Sequence, residues 1–192
     1  QKMVQSDVSG IMFSINPVTN DMDSIIIEAV YGLGEYIVGG VITPDHYEID
    51  KSSLAIKNKT IVKQTHKLAL RKDGGNEDVA IPEEWQNIQK LWDESIAPLA
   101  DISRKLEKHY GKPQDSEWAV ENGQVFIVQT RPITTVNIVK AANSQKIDTQ
   151  TQEILKTIPL ISGAAASPGV SAGPVVVIHS PDEIDLVKDG DV

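Results

Sequence analysis

The sequence predicts an α+β fold, and three observations carry that reading. Short aliphatic and β-branched runs separated by turn-forming residues fill the N-terminal stretch, the pattern of strands. From Pro82 the apolar residues recur at three- and four-residue steps, the period of an amphipathic helix. Asn122-Gly123 then sits between two alternating segments, a strong β-hairpin signal.

With 192 residues, 40% of them hydrophobic, the chain can bury one real core and part of a second. The absence of cysteine excludes a disulfide scaffold and thiolate chemistry and fits a reducing compartment. No run of about 18 apolar residues and no charged-then-apolar leader is present, so a soluble, cytoplasmic protein with no membrane partner is expected. The opening QKMVQSD has no initiator Met and reads as the interior of a longer protein. A net charge of −9 argues against a nucleic-acid partner, which needs clustered Lys and Arg. Residues 1–50 hold one basic residue, Lys2, against eight acidic ones, whereas Lys51 to Lys72 hold seven basic residues and no acidic one. A solvated strand face is the expected meaning of that block, with an anion-facing surface as the other.

The elements follow in order. SGIMFSI (Ser9 to Ile15) and SIIIEAV (Ser24 to Val30) read as strands, the first stopped by Asn16-Pro17. In Tyr31 to Gly40, Gly32 and Gly34 allow either a strand-to-helix turn or a wall shaped to a ligand, held by Glu35. Glu28, at the end of its strand, is equally ambiguous. No GK[ST] follows, so this is not a Walker motif. Ala55 to Leu70 is β-like, and Lys72 to Asn76 (KDGGN) a loop. Trp85, Ile88, Trp92, Ile96, Leu99, Ile102, Leu106 and Tyr110 form a helical stripe for core packing, divided or kinked at Pro98 and capped by Gly111. Ile133 to Ile158 reads as a linker with one short helix, ISGAAASPGVSAGPVVVI as small residues leading into a β-branched strand, and PDEIDLVKDGDV as a short helix entering another strand.

The hairpin DSEWAVENGQVFIVQTRP, Asp115 to Pro132, carries polar residues where a plain core hairpin wants apolar ones. A two-residue loop would put Glu117 and Gln129 on opposite faces. A three-residue loop with a bulge pairs Asp115 with Arg131 and Glu117 with Gln129 on one face, and gathers Trp118, Val120, Phe126 and Val128 on the other. The second register is expected because it separates an apolar face from a polar one. Opposed residues stand about 5 Å apart at Cβ, so Glu117 and Gln129 can offer oxygens to one hard cation, with Arg131 against a phosphate. An exposed face of ordinary cross-strand pairs fits the same spacing.

DSEWA with QVFIVQTRPIT resembles the metal and triphosphate strands of the ATP-grasp nucleotide-binding domain of the dikinase family, which includes phosphoenolpyruvate synthase (pyruvate, water dikinase), pyruvate phosphate dikinase and rifampicin phosphotransferase. QKMVQSDVSGIMFSINPVT resembles the hinge and first strand of the larger ATP-grasp lobe, EAVYGLGEYIVGGVITPDHY its GLGE and TPD segment, and SGAAASPGVSAGPVVVI the opening of the swivelling phosphohistidine domain. The resemblance implies a mostly antiparallel ATP-grasp large lobe over 1–135, a linker over 136–158, and the truncated start of an α/β swivelling domain over 159–192.

It also implies roles. Glu117 and Gln129 are ligands of Mg²⁺ and ATP, Asp115 is a supporting acid at the metal, and Arg131 is the catalytic phosphate contact. The hinge residues Gln1, Lys2, Met3 and Val4 touch adenine through their backbone. Ser116 departs from the family, which usually has an apolar residue there, and is expected to loosen packing beside Trp118. The whole enzyme would phosphorylate a histidine from ATP and pass the phosphoryl group to pyruvate, giving phosphoenolpyruvate, AMP and phosphate, as a step of gluconeogenesis and with a homodimer as its assembly. That histidine lies in a Gly/Thr-rich loop beyond this chain. His46, His66, His109 and His179, in a loop, a strand, a helix end and after the VVVI run, are read as structural or exposed. By the same resemblance the chain alone is inactive, lacking the lobe that supplies the clamping Lys and Arg. A rifampicin-type phosphotransferase and a non-catalytic module of the same fold remain alternatives.

Overall fold

The computed structural model describes residues 3–134, 172–178 and 181–191. The chain divides into two units, 1–145 and 146–192. In the first, β1 (Val8–Phe13), β2 (Ser24–Tyr31), β3 (Asp45–Asp50), β4 (Ile56–Thr60), β7 (Gln114–Glu121) and β8 (Gln124–Pro132) form one antiparallel sheet in the order β4-β3-β2-β1-β7-β8. A short helix α1 (Glu35–Val38) follows β2, and β5 (His66–Leu70) with β6 (Asn76–Ala80) makes a separate hairpin. The long helix α2 (Asp93–Tyr110) precedes β7.

The alternation of each strand sorts the sheet into two faces. Met12, Ile27, Tyr47 and Trp118 turn toward one side, where they are buried in a cluster with Ile96, Leu99 and Ala100 of α2. Opposite it, cross-strand partners align His46, Glu28, Ile11, Glu117 and Gln129 in one row from β3 to β8. The acidic and amide side chains thus lie on the face away from α2.

The expected helical stripe is only half right. Glu83–Trp85 is a 3₁₀ turn, and the α-helix begins at Asp93, leaving Trp85 and Trp92 53% and 62% exposed. The physical reason is Asp45. Its carboxylate, fully buried, accepts from the Lys90 backbone N–H (2.9 Å), the Lys90 ammonium (2.9 Å), the Val62 N–H (2.9 Å) and the Tyr47 hydroxyl (3.0 Å). The Lys90 N–H is therefore unavailable to a helix, and a buried charge paired and bonded this fully outweighs the periodicity of its neighbours. Burial, with the Asp45 charge beside it, pushes the Tyr47 hydroxyl well above its usual pKa.

Pro98 does not divide α2. It sits in the second turn, where its missing N–H forfeits one bond, and the burial of Ile96, Leu99 and Ala100 carries the helix through. Gly111 caps the end as expected, in a left-handed conformation (φ 67°) with its N–H on the Glu107 carbonyl at 2.8 Å.

Other expectations change. His46, expected in a loop, lies in β3; Glu28 lies inside β2 rather than at its end; and Asn76, placed in a loop, opens β6. His66 and His109 lie in β5 and α2. The basic block is mostly spent on ion pairs: Lys51 with Glu107 (2.7 Å), Lys57 with Glu48 (3.2 Å), Lys59 with Asp93 (2.9 Å), and Arg71 with Asp73. It is a solvated face. In the second unit Pro181–Leu186 is a 3₁₀ helix, and residues 172–178 form no strand, there being no strand among the described residues of that unit for them to pair with. The linker helix and His179 fall outside the described residues. No described helix is long and apolar enough to cross a membrane.

Candidate functional site

The hairpin reaches the expected pairing by an unexpected route. Its loop is the two-residue Asn122-Gly123 turn, both residues at positive φ (50° and 77°), not the three-residue loop anticipated. This is the conformation whose twist matches the strands. The extra residue is absorbed farther out, by a bulge at Val128 that shifts the register between Glu117 and Trp118. Beyond the bulge Glu117 faces Gln129 and Asp115 faces Arg131. Nearer the turn Trp118 faces Ile127 and Val120 faces Val125. The apolar side is therefore Trp118, Val120, Val125 and Ile127. Phe126, expected there, instead opposes Ala119 on the Glu117 face, and Val128 lines a cleft beside Glu117.

Arg131 is held before any ligand arrives. Its Nε–H donates to Asp115 Oδ2 at 2.8 Å. That hydrogen bond first, then the charges of Asp115 and Glu117, raise the guanidinium above its already high pKa. The side chain is 66% exposed, so the pair orients Arg131 without burying it. Ser116 does not loosen the other face. It is buried, its hydroxyl bonds Thr130 Oγ1 at 2.9 Å, and Thr130 donates to Gln114 Oε1 at 3.1 Å.

A cleft of about 610 Å³ adjoins the hairpin. Met3 and Val4 line one wall, Leu33, Gly34 and Glu35 another, and Glu117, Ala119 and Val128 a third. Gln1 and Lys2 lie outside the described residues. Ser9 and Ala119, cross-strand partners on the Glu117 face, give it a floor of small side chains. The glycine segment is placed by Gly32, whose φ of +82° few side chains tolerate and whose Cβ would stand 2.3 Å from the Leu68 carbonyl. Ser9 Oγ donates to the Gly32 carbonyl at 2.6 Å and fixes the turn from below. Sequence reasoning missed Ser9, Ala119 and Val128; the small residues inside two otherwise bulky strands were the available signal.

The donors on this face suit a hard cation only in part. Among the described residues no three His, Cys, Asp or Glu side chains gather as a metal-binding group. One carboxylate and one amide oxygen from facing strand positions fit an ion such as Mg²⁺, which takes one or two protein oxygens and fills the remainder from water and phosphate.

An apolar cleft with small residues at its floor and the Glu117 carboxylate in its wall, paired across the hairpin with an amide, has the chemistry of a nucleotide-binding domain. Residues 1–153 match the family described as the pyruvate phosphate dikinase, AMP/ATP-binding domain, and the chain belongs to that family. Over its whole length it is 39% identical to a probable phosphoenolpyruvate synthase of Methanocaldococcus jannaschii, 42% identical to the phosphoenolpyruvate synthase of Pyrococcus furiosus, and 43% identical to a probable phosphoenolpyruvate synthase of Archaeoglobus fulgidus. It spans 16%, 24% and 25% of those proteins respectively.

Proposed function

We propose that residues 1–135 are the larger ATP-grasp lobe of a phosphoenolpyruvate synthase, holding the adenosine and metal side of its ATP site. The observation that carries this is the pairing of Glu117, which lines the cleft, with Gln129, and of Asp115 with Arg131 two positions along the same strands. The hinge from Gln1 to Val4 would take adenine through its backbone, and Ser9 and Ala119 would leave room for the base to lie flat. Glu35 cannot face the triphosphate without repulsion, so the donors it suits are the ribose hydroxyls. Glu117 and Gln129 would hold Mg²⁺, which would supply positive charge against the phosphates. Arg131, kept in place by Asp115, adds a second positive charge where phosphoryl transfer concentrates negative charge. Asp115 spends one oxygen on Arg131 and supports the metal site with the other.

The resemblance to the dikinase family implies a histidine as the first phosphoryl acceptor, and pyruvate as the second fits the name phosphoenolpyruvate synthase that the relatives carry. The product set is then phosphoenolpyruvate, AMP and phosphate. By the resemblance, the Lys and Arg that clamp the phosphates belong to the family's smaller lobe and not to this one. Mg-ATP is therefore expected to bind this chain alone with a Kd of about 1 mM or weaker, against roughly micromolar for a complete site, and to undergo no turnover. Calorimetry tests this, and micromolar binding by the isolated chain would contradict it.

A further inference from the structure

The β5–β6 hairpin is outside the six-stranded sheet, and four of the five residues of β6 are exposed. Two-stranded hairpins are marginal on their own, so its order comes from what it rests on. It rests on the glycine segment that lines the cleft. The Leu33 N–H donates to the Leu68 carbonyl at 2.8 Å, and Gly32 permits that approach. Two side chains two positions apart on β6, hence on one face of it, complete the seam: Asn76 Nδ2 donates to Glu35 Oε1 at 2.8 Å, and the Tyr36 hydroxyl donates to Asp78 Oδ1 at 3.0 Å.

From this we infer that the hairpin is a positioning device for the nucleotide cleft: the Asn76 amide holds the Glu35 carboxylate in the cleft wall, so Asn76 sets ATP affinity without touching ATP. The inference rests on the nucleotide-binding reading above. Glu35 is a long, exposed side chain on a four-residue helix, and nothing in α1 itself fixes its rotamer. The Asn76 Nδ2–H fixes it by donating to Oε1 and leaves Oε2 to accept from a ligand hydroxyl. Because the seam is exposed, its loss barely touches the core. Asn76 is thus a positioning residue for binding, with no part in phosphoryl transfer.

The experiment uses an enzyme carrying this chain at the full length of its relatives, with ATP as the varied substrate. Asn76→Ala and the isosteric Asn76→Asp, which lacks the donor, are each expected to raise the KM for ATP about 2- to 10-fold, the loss of one hydrogen bond, with kcat unchanged and the unfolding temperature nearly so. In a Glu35→Ala background the same Asn76 changes are expected to add nothing. A KM unmoved by both variants, or an equal rise with and without Glu35, overturns the inference. If that happens while Glu117→Gln still slows turnover roughly 100-fold or more, the positioning role falls and the nucleotide reading stands; if Glu117→Gln is also silent, the nucleotide reading falls first.

Discussion

Under the proposed function, Glu117→Gln in the full-length enzyme is expected to slow ATP-dependent phosphorylation of the proposed histidine acceptor by roughly 100- to 1000-fold, a loss of about 3 to 4 kcal/mol of transition-state stabilisation. The substitution preserves volume and removes one negative charge from the pair that would hold the cation. Glu117 stands on the face away from the core and shares its row with Glu28, with Asp115 two residues before it on the same face. Relief of that repulsion offsets the lost attraction to Arg131, so thermal unfolding is expected to stay nearly unchanged. Phosphorylation assays run beside thermal unfolding separate the two effects. Near-normal phosphorylation would return the hairpin to an ordinary charged surface.

Trp118→Ala reverses the pattern, with an expected loss of about 3 to 5 kcal/mol of stability, a large part of the roughly 5 to 15 kcal/mol that holds a domain together. Trp118 is 1% exposed and buried among Met12, Ile27, Ile96 and Leu99. Gly10 faces it from β1, and a Cβ there would lie 2.7 Å from Trp118 Cζ2, so the indole occupies space that its neighbour's missing side chain leaves open. Nothing beside it can close the hole. Denaturant unfolding measures the loss, and a change below about 1 kcal/mol would mean that the sheet does not depend on this contact. In the fraction still folded, the rows bearing Glu117 and Gln129 keep their register.

The parts of this fold legible in sequence are those where local chemistry and burial agree. Asn122-Gly123 announces the hairpin, and the alternation through DSEWAVE and QVFIVQTR announces which residues oppose each other. The loop length was misjudged because a bulge inside β8 satisfies the same face pattern as a longer loop, and only the bulge keeps the favoured Asn-Gly turn. That is also why Phe126 and Val128 changed places with Val125 and Ile127. Strand β3 hid because DHYEID carries a buried Asp45 where strands usually carry an aliphatic residue, and its stabilising partner, Lys90, is remote in sequence. Strand β6 hid because NEDVA is almost wholly solvated. Trp85 and Trp92 kept helical spacing without a helix, since Asp45 had already claimed the Lys90 backbone. The cleft has walls from three distant segments, and only the resemblance to a known family joined them before the structure did.

The proposed function places a metal–nucleotide complex over Glu117 and Gln129. Mn²⁺, another hard, oxygen-seeking cation, replaces Mg²⁺ with ATP and broadens the NMR signals of nearby nuclei, at the millimolar concentrations that the isolated chain needs. Broadening is expected to centre on the Gln129 side-chain amide and the backbone amides of Asp115 and Glu117. The signals of Lys57 and Asn58 in β4, four strands and about 19 Å from β7, should remain sharp. Broadening centred on β3 and β4, or on the Glu28 and His46 end of the row with Gln129 untouched, would contradict it.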